Sequence, residues 1–237
     1  MPKKRKKVMV NILNEGTTAA GLESRLLQDM QAKTADYDFH LFFPTGRPIP
    51  DNRHRVVKQF LEGDYDFLFM FDDDNMPATE NNVFDFLDLN LPVVGGVYPG
   101  RNKTGIHFHV YKFTSLEPVK AAQYTDPKER KGLQKVDAVA TGAICIRRDV
   151  LEKLPKRSFD ELFDEDGLII LGDDMHFCYE CKKAGIDIYA HWDHVFFHFK
   201  TVDLLQMGEF VYNAREEGIK AGIAIAEEKF NLPKIHK

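Results

Sequence analysis

The stretch FMFDDDNMP sets three carboxylates, Asp72, Asp73 and Asp74, directly behind a strongly apolar run. Adjacent carboxylates repel one another, and the arrangement is costly unless a cation or solvent offsets the charge. Carboxylate oxygens are the ligands that Mg²⁺ and Mn²⁺ prefer, and such ions bridge protein carboxylates to substrate phosphates. In an extended segment Asp72 and Asp74 project to one side and Asp73 to the other. One of the pair can then hold a metal and the other a ribose hydroxyl. The competing reading is a solvated acidic turn closed by Pro77. The position favours a site, because open α/β sheets bind ligands beyond the carboxyl ends of their strands.

A second constellation points elsewhere. In CYECKKAGIDIYAHWDHVFFH, Cys178, Cys181, His194 and His198 fit the written spacing of a two-Cys, two-His zinc finger. A finger needs its cysteines on a hairpin and its histidines on a helix. Here the polarity is reversed. GDDMHFCYECKKAG has acidic residues first, lysines late and a stopping Gly185, as a helix does. Asp174, Phe177, Cys178, Cys181 and Ala184 then share one face, and the cysteines read as small core residues. The β-branched and aromatic residues of IYAHWDHVFFHF favour an extended chain, with His194, Phe196 and His198 on one side. His176, His191 and His194 read as structural or surface residues.

Elements able to position these groups follow from periodicity. Strands are expected at Lys7 to Leu13, Tyr37 to Phe43, Tyr65 to Phe71 and Pro92 to Tyr98, and helices at Thr17 to Lys33, from Arg53 to Gly63, and at Thr79 to Leu89. YDFLFMF is apolar on both faces, as a central covered strand should be. The alternation predicts an α/β sheet with a mostly parallel first half. Short strands are expected within 105 to 147, a helix over Leu171 to Gly185, an extended run over Ile186 to Phe199, and a helical extension over 202–237. Residues 1–7 read as a basic tail and 8–201 as the catalytic domain.

Composition narrows the class. The 237 residues are 43% hydrophobic with 19 Phe, enough for a large core. The net charge is −5 despite the run Lys3, Lys4, Arg5, Lys6 and Lys7, so the body is more acidic still. A duplex-DNA reader carries its positive charge on the folded domain, which counts against the finger. Three cysteines are too few for a disulfide framework and suit a reducing compartment. No apolar run approaches the ~20 residues of a membrane-spanning helix, and a secretory leader is not evident. A cytoplasmic protein is expected, nuclear only if PKKRKKV acts as an address.

Five blocks in order carry a resemblance: RHRVVKQFL, DYDFLFMFDDDNMP, VVGGVYPGR, TGAICIRRDVLEKL and GDDMHFCYECKKAGIDIYAHWDHVFFH, spanning about residues 50 to 200. Together they resemble the GT-A glycosyltransferases, in particular the small soluble family-2-like enzymes of bacteria and phages. The resemblance implies a GT-A mixed α/β sheet flanked by helices and a nucleoside-diphosphate sugar donor, UDP-sugar favoured. It also implies a Mn²⁺ or Mg²⁺ ion held by Asp74 with Asp72, His198 completing the metal site, and Asp174 as the general base. Inversion at the anomeric carbon is favoured. Asp72, Asp73 and Asp173 join the donor-binding set. His54 departs from the family's usual Asn beside Arg53, and Asp173 from its usual Glu.

Further donor-site candidates carry bland alternatives. Arg53 opens a helix after a loop, suited to a diphosphate or base edge, or to pairing with Asp51. Gly95 can admit the donor close to the backbone, or mark a bulge. Arg101 can reach sugar or acceptor. Gly142 can make room for the sugar, or serve tight packing. A nucleotidyltransferase on a similar sheet is the enzymatic rival, although NILNEGTTAAG is a poor phosphate loop. The acceptor is open, and the basic head raises a polyanion or nucleic acid as one candidate.

Overall fold

The computed structural model describes residues 4–13, 18–45, 48–102, 105–117, 119–120, 123–124, 129–199 and 211–220 of the chain. Strand β1 (Lys6–Leu13) is followed by helix α1 (Leu22–Lys33), strand β2 (Tyr37–Leu41), helix α2 (Ile49–Glu62) and strand β3 (Phe67–Asp72). After the acidic triplet come β4 (Asn75–Pro77), a 3-10 turn (Val83–Asp85), one turn of helix α3 (Phe86–Leu89), and β5 (Val93–Val97). Strands β6 (Pro99–Asn102) and β7 (Gly105–Phe108) form a hairpin. Short strands β8 (Val110–Lys112), β9 (Gln123–Tyr124), β10 (Leu133–Val136) and β11 (Ala138–Val139) follow. Then come β12 (Ala143–Arg147), α4 (Arg148–Lys153), the ribbon β13 (Leu162–Phe163) and β14 (Ile169–Leu171), α5 (Asp173–Lys183) and β15 (Ile188–His198). The chain divides into two compact units between Phe199 and Lys200. In the second, residues 211–220 are helical. The rest of the expected extension, 202–210 and 221–237, lies outside the described residues.

The main sheet has the order β10-β15-β5-β12-β3-β1-β2. It is the mixed α/β sheet flanked by helices that the resemblance implies. Strands β1, β2 and β3 are parallel, but β12 enters antiparallel between β3 and β5. The first-half strands thus share a direction without forming one continuous parallel sheet, because the late strand β12 splits them. β3 is covered on both sides. Phe67, Phe69 and Phe71 join the core that includes Leu22 and Leu26 of α1. Leu68 and Met70 join the core that includes Val56 and Phe60 of α2 and Phe177 of α5.

Two expectations are corrected. The basic head is not simply a tail: Lys6 and Lys7 open β1, paired with Tyr37 and Asp38. The Lys7 amide donates to Asp66 (2.8 Å), its Nζ meets Asp64 (3.1 Å), and Lys6 Nζ donates to Asn90 (3.2 Å). These contacts engage both lysines locally, at the amino end of β1, the opposite end of the strand from Leu13 and the paired Asp72. Nor is Thr79 to Leu89 a full helix. Arg25 of α1 donates to the carbonyls of Thr79 (3.0 Å) and Asn81 (2.7 Å), while Asp29 accepts from the Val83 amide (3.0 Å). Those backbone groups are satisfied by side chains, so the chain turns helical only from Val83.

Arg148 secures the C-terminal end of α2. Its guanidinium donates to the carbonyls of Leu61 (2.9 Å), Gly63 (2.8 Å) and Tyr65 (3.2 Å). The Leu61 carbonyl is among those a helix end leaves open, and Gly63 and Tyr65 belong to the cap and the loop that follow it. Arg148→Met should cost about 1–3 kcal/mol in denaturant unfolding, since hydrogen bonds from a charged donor are lost. Arg148→Lys should restore less than half of that, because a point charge cannot span three carbonyls. Full rescue by lysine would reduce the effect to charge alone.

Candidate active site

Arg53 lies in α2 and is 4% exposed. Its guanidinium donates to Oδ1 of Asp72 (3.2 Å), at the end of β3, and to Oδ2 of Asp173, the first residue of α5. Burial alone would lower its pKa, but Asp72, Asp173 and Asp174 outweigh burial and raise it. Arg53 therefore stays cationic, ringed by more negative charge than it can neutralise. Its partner is Asp72 rather than Asp51.

Burial pushes the Asp72 carboxyl up; Arg53 pulls it down and Asp74 adds to the rise. Beside it, Asp174 is half-buried, and its Oδ1 accepts from the Met175 amide (2.7 Å). Burial raises the Asp174 carboxyl to about 6, against the pull of Arg53 and with a further push from Asp173. A carboxyl in that range serves as a base near neutral pH.

Asp74 and His198 meet through an unusual strand arrangement. β15 runs parallel to β5 up to a register shift between His191 and Val195. Its end then pairs with β4, placing His198 opposite Asn75. A bulge of this kind re-aims the side chains beyond it: Ala190 and Trp192 face the α2 and α5 core, whereas Phe196 faces the α1 core. His198 Nε2 lies 3.5 Å from Asp74 Oδ2, and Nδ1 lies 2.9 Å from the Pro99 carbonyl. With Nδ1–H donating to that carbonyl, Nε2 presents a lone pair toward Asp74. Two ligands of one ion, each about 2.1 Å from it, stand roughly 3.0–3.5 Å apart, so the pair fits a divalent cation. Among the described residues no group of three His, Cys, Asp or Glu side chains is drawn close enough to hold an ion alone.

Gly142 has a different neighbourhood from an open sugar pocket. Its amide donates to the Tyr98 hydroxyl (3.1 Å), and its carbonyl accepts from the Asp72 amide (3.0 Å) and Asn75 Nδ2 (3.3 Å). A Cβ there would strike Asn75 Nδ2 and stand 2.7 Å from the Tyr98 oxygen. Burial pushes the Tyr98 phenol well above its ordinary range, so it stays protonated, and its ring lies 5.0 Å from that of His198. Asn75 and Tyr98 are the residues that sequence reasoning missed. The signal for Tyr98 was a polar-tipped aromatic ending an apolar strand; for Asn75 there was none beyond its place after the triplet.

Other candidates stand apart. A Cβ at Gly95 would lie 2.6 Å from Val139, so its close approach is to β11. The Asp73 backbone ties β3 to Leu13 (3.1 Å) and to Ala19 (2.6 Å). Arg101 occupies β6, opposite Ile106, and its side chain lies outside the described residues. The cysteines are buried, free and on helix α5 or strand β12, with Cys178 Sγ 3.4 Å from the Val139 carbonyl. His194 is buried against Phe86, which lowers its pKa to about 4. Cysteines on a helix and histidines on a strand are the reverse of a zinc finger.

The fold and rim together define an open mixed α/β sheet with an acidic, arginine-braced edge at the carboxyl ends of its strands. Neither a family model nor a curated protein matches the chain. Among solved structures it is similar to the crystal structure of A197 from STIV, with TM-score 0.54 and 20% identity over 82% of this chain and 86% of that one. It is also similar, at TM-score 0.45 and 10% identity, to GalNAc-T7 solved with UDP, GalNAc and Mn²⁺, over 84% of this chain and 44% of that one. The likeness to A197 is one of fold. No described helix is long and apolar enough to cross a membrane.

Two substitutions probe the rim. Gly142→Ala should destabilise by about 1–3 kcal/mol through overpacking, read by thermal and denaturant unfolding. Asp174→Asn should do the reverse at neutral pH. With its folded pKa above the unfolded 3.8, wild-type stability falls as pH rises from about 4 to 6, where only the unfolded state ionises freely. The asparagine variant should gain about 1–3 kcal/mol at pH 7.5 and nothing at pH 4. An equal gain at both values would disconnect it from ionisation.

Proposed function

We propose that this chain is a glycosyltransferase that moves a sugar from a nucleoside-diphosphate donor, UDP-sugar favoured, to an acceptor hydroxyl with inversion. The observation that carries this reading is the pairing of His198 with Asp74, two residues on from Asp72, which Arg53 ties to Asp173 at the start of the helix that bears Asp174.

In this reading Asp74 and His198 would hold Mn²⁺ or Mg²⁺, ions that accept carboxylate and imidazole ligands. What the ion supplies is neutralisation of the charge that grows on the departing diphosphate. Arg53 engages Oδ1 of Asp72, fixing that carboxylate so that it can face the ribose. Asp173, the other partner of Arg53, sets the start of α5 and with it Asp174. The Asp174 carboxylate takes the proton of the acceptor hydroxyl. The hydroxyl oxygen then bonds to the anomeric carbon as the bond from that carbon to the diphosphate breaks on the opposite side. One base and one displacement give inversion. The imidazole nitrogen makes Mn²⁺ a better fit than Mg²⁺.

A donor screen with Mn²⁺, following nucleoside-diphosphate release, tests this directly. Asp174→Asn should lower kcat by about 10²–10⁴ while leaving binding of UDP with Mn²⁺ within about threefold. Asp74→Ala and His198→Ala should each weaken Mn²⁺-dependent UDP binding, measured by calorimetry, by about tenfold or more. Wild-type kcat/KM should fall below about pH 6 as Asp174 takes up a proton. Full activity in Asp174→Asn would end the assignment of the base.

A further inference from the structure

Three rings close the bulge in β15, and two of them can take up a proton. Between His191, which pairs with Gly96, and Val195, which pairs with Val97, the strand carries three residues that β5 does not match. Of these, Trp192 turns into the α2 and α5 core, where its indole donates to Gln134 (2.8 Å). His194 packs instead on Phe86 of α3, which belongs to the α1 core. The Phe86 ring stacks on His191 at 5.6 Å and meets His194 edge-on at 4.8 Å, and the two imidazoles meet edge-on at 4.5 Å. His194 is 3% exposed, and Nδ1 of His191 is buried with no hydrogen-bond partner among the described residues.

This packing suits two neutral imidazoles and not a charged one, since a cation buried against apolar rings is costly unless an anion meets it. Burial lowers the pKa of both, that of His194 to about 4, and His191 and Arg25 of α1 push His194 the same way. Asp85 of the 3-10 turn and Asp193 of the bulge pull both histidines back toward the charged form. Neither redresses the balance. Asp85 is held by Lys33 (2.6 Å), and among the described residues neither carboxylate forms an ion pair with an imidazole.

Past the bulge the strand is tied to the segment that follows the acidic triplet. The Asp193 carbonyl accepts from Asn81 Nδ2 (2.8 Å) and the Val195 carbonyl from the Ala78 amide (2.8 Å). Three residues further on, His198 lies 3.5 Å from Asp74. We propose that the His191–His194 pair is an acid-sensitive latch: a proton on either imidazole opens the bulge and frees His198 from Asp74. The opening stands on the ring packing; its consequence for a metal rests on the transferase reading above. In the opened bulge both imidazoles meet water, and His194 regains its ordinary pKa of 6.5. The closed form is therefore fully favoured above about pH 6.5 and loses ground as pH falls toward 4. At pH 5 the opening equilibrium should stand roughly 30-fold above its value at pH 7.5.

Hydrogen exchange over residues 188–198, corrected for the intrinsic pH dependence of exchange, reads this opening. Protection there should fall by about tenfold or more in wild type between pH 7.5 and pH 5, while β3 keeps its protection. His194→Phe, which keeps a ring, and His194→Gln, which keeps a polar group, should each hold the 188–198 protection within about threefold over that interval. No fall in wild type, an equal fall in both variants, or a parallel fall in β3 overturns the proposal. Mn²⁺ at ten times its Kd should raise the same protection about tenfold at pH 7.5, because the ion binds only the closed form. Mn²⁺ that binds without that gain overturns the link from the latch to His198. An acid-induced fall that both variants abolish, in a protein that binds no Mn²⁺, upholds the latch and overturns the metal-dependent transferase reading instead.

Discussion

One buried guanidinium holds the rim together. Arg53 reaches Asp72 at the end of β3 and Asp173 at the start of α5, so three separate elements share one ion-pair network. Taking these groups out of water is expensive, and the cost is recovered only when each charge has well-placed partners. A planar guanidinium can serve two carboxylates at once where an ammonium cannot. Without it, Asp72, Asp173 and Asp174 would face one another with only solvent to separate their charges. The relative placement of the β3 rim and the α5 carboxylates therefore depends on a residue in neither.

The sheet supplies the second half of the site by crossing its own sequence order. β12 divides β3 from β5, and the carbonyl of Gly142, just ahead of β12, takes the Asp72 amide. β15 shifts register against β5, meets it again at Val195 and then closes onto β4, which carries His198 to Asp74. Tyr98, Asn75 and Gly142 fill the junction where these strands meet, so the space there is occupied by structure. The glycine is required by its two neighbours, and a larger residue would push on the acidic turn through Asn75.

Much of this was legible because it depends on local pattern. FLFMF is apolar at every position, which only a strand covered on both faces tolerates, and the helix polarity of GDDMHFCYECKKAG separated it from a metal finger. What escaped the sequence depends on distant partners. The Thr79 to Leu89 stretch has a helical pattern, yet Arg25 and Asp29 of α1 satisfy its first backbone groups and hold them out of a helix. PKKRKKV reads as a tail because its charges are consecutive, but Arg5 meets Asp38 and Lys7 meets Asp64, and the Lys7 amide donates to Asp66, once β1 pairs with β2 and β3. Alternation along β15 placed His198 with His194 and Phe196 but gave no warning of the bulge that turns them away from Trp192.

The behaviour of Asp174 shows which electrostatic effect prevails at the rim. Its place in the first turn of α5 and the nearby Arg53 both favour the ionised form. Burial opposes them and is the larger influence, with Asp173 pushing the same way. Had the helix end or the arginine won, the carboxyl would stay in its ordinary range, ionised at neutral pH but a poor proton acceptor. Because burial wins, the group remains mostly ionised at neutral pH and gains basicity. The same crowding of negative charge costs the fold stability, and the cation proposed for this rim would relieve it.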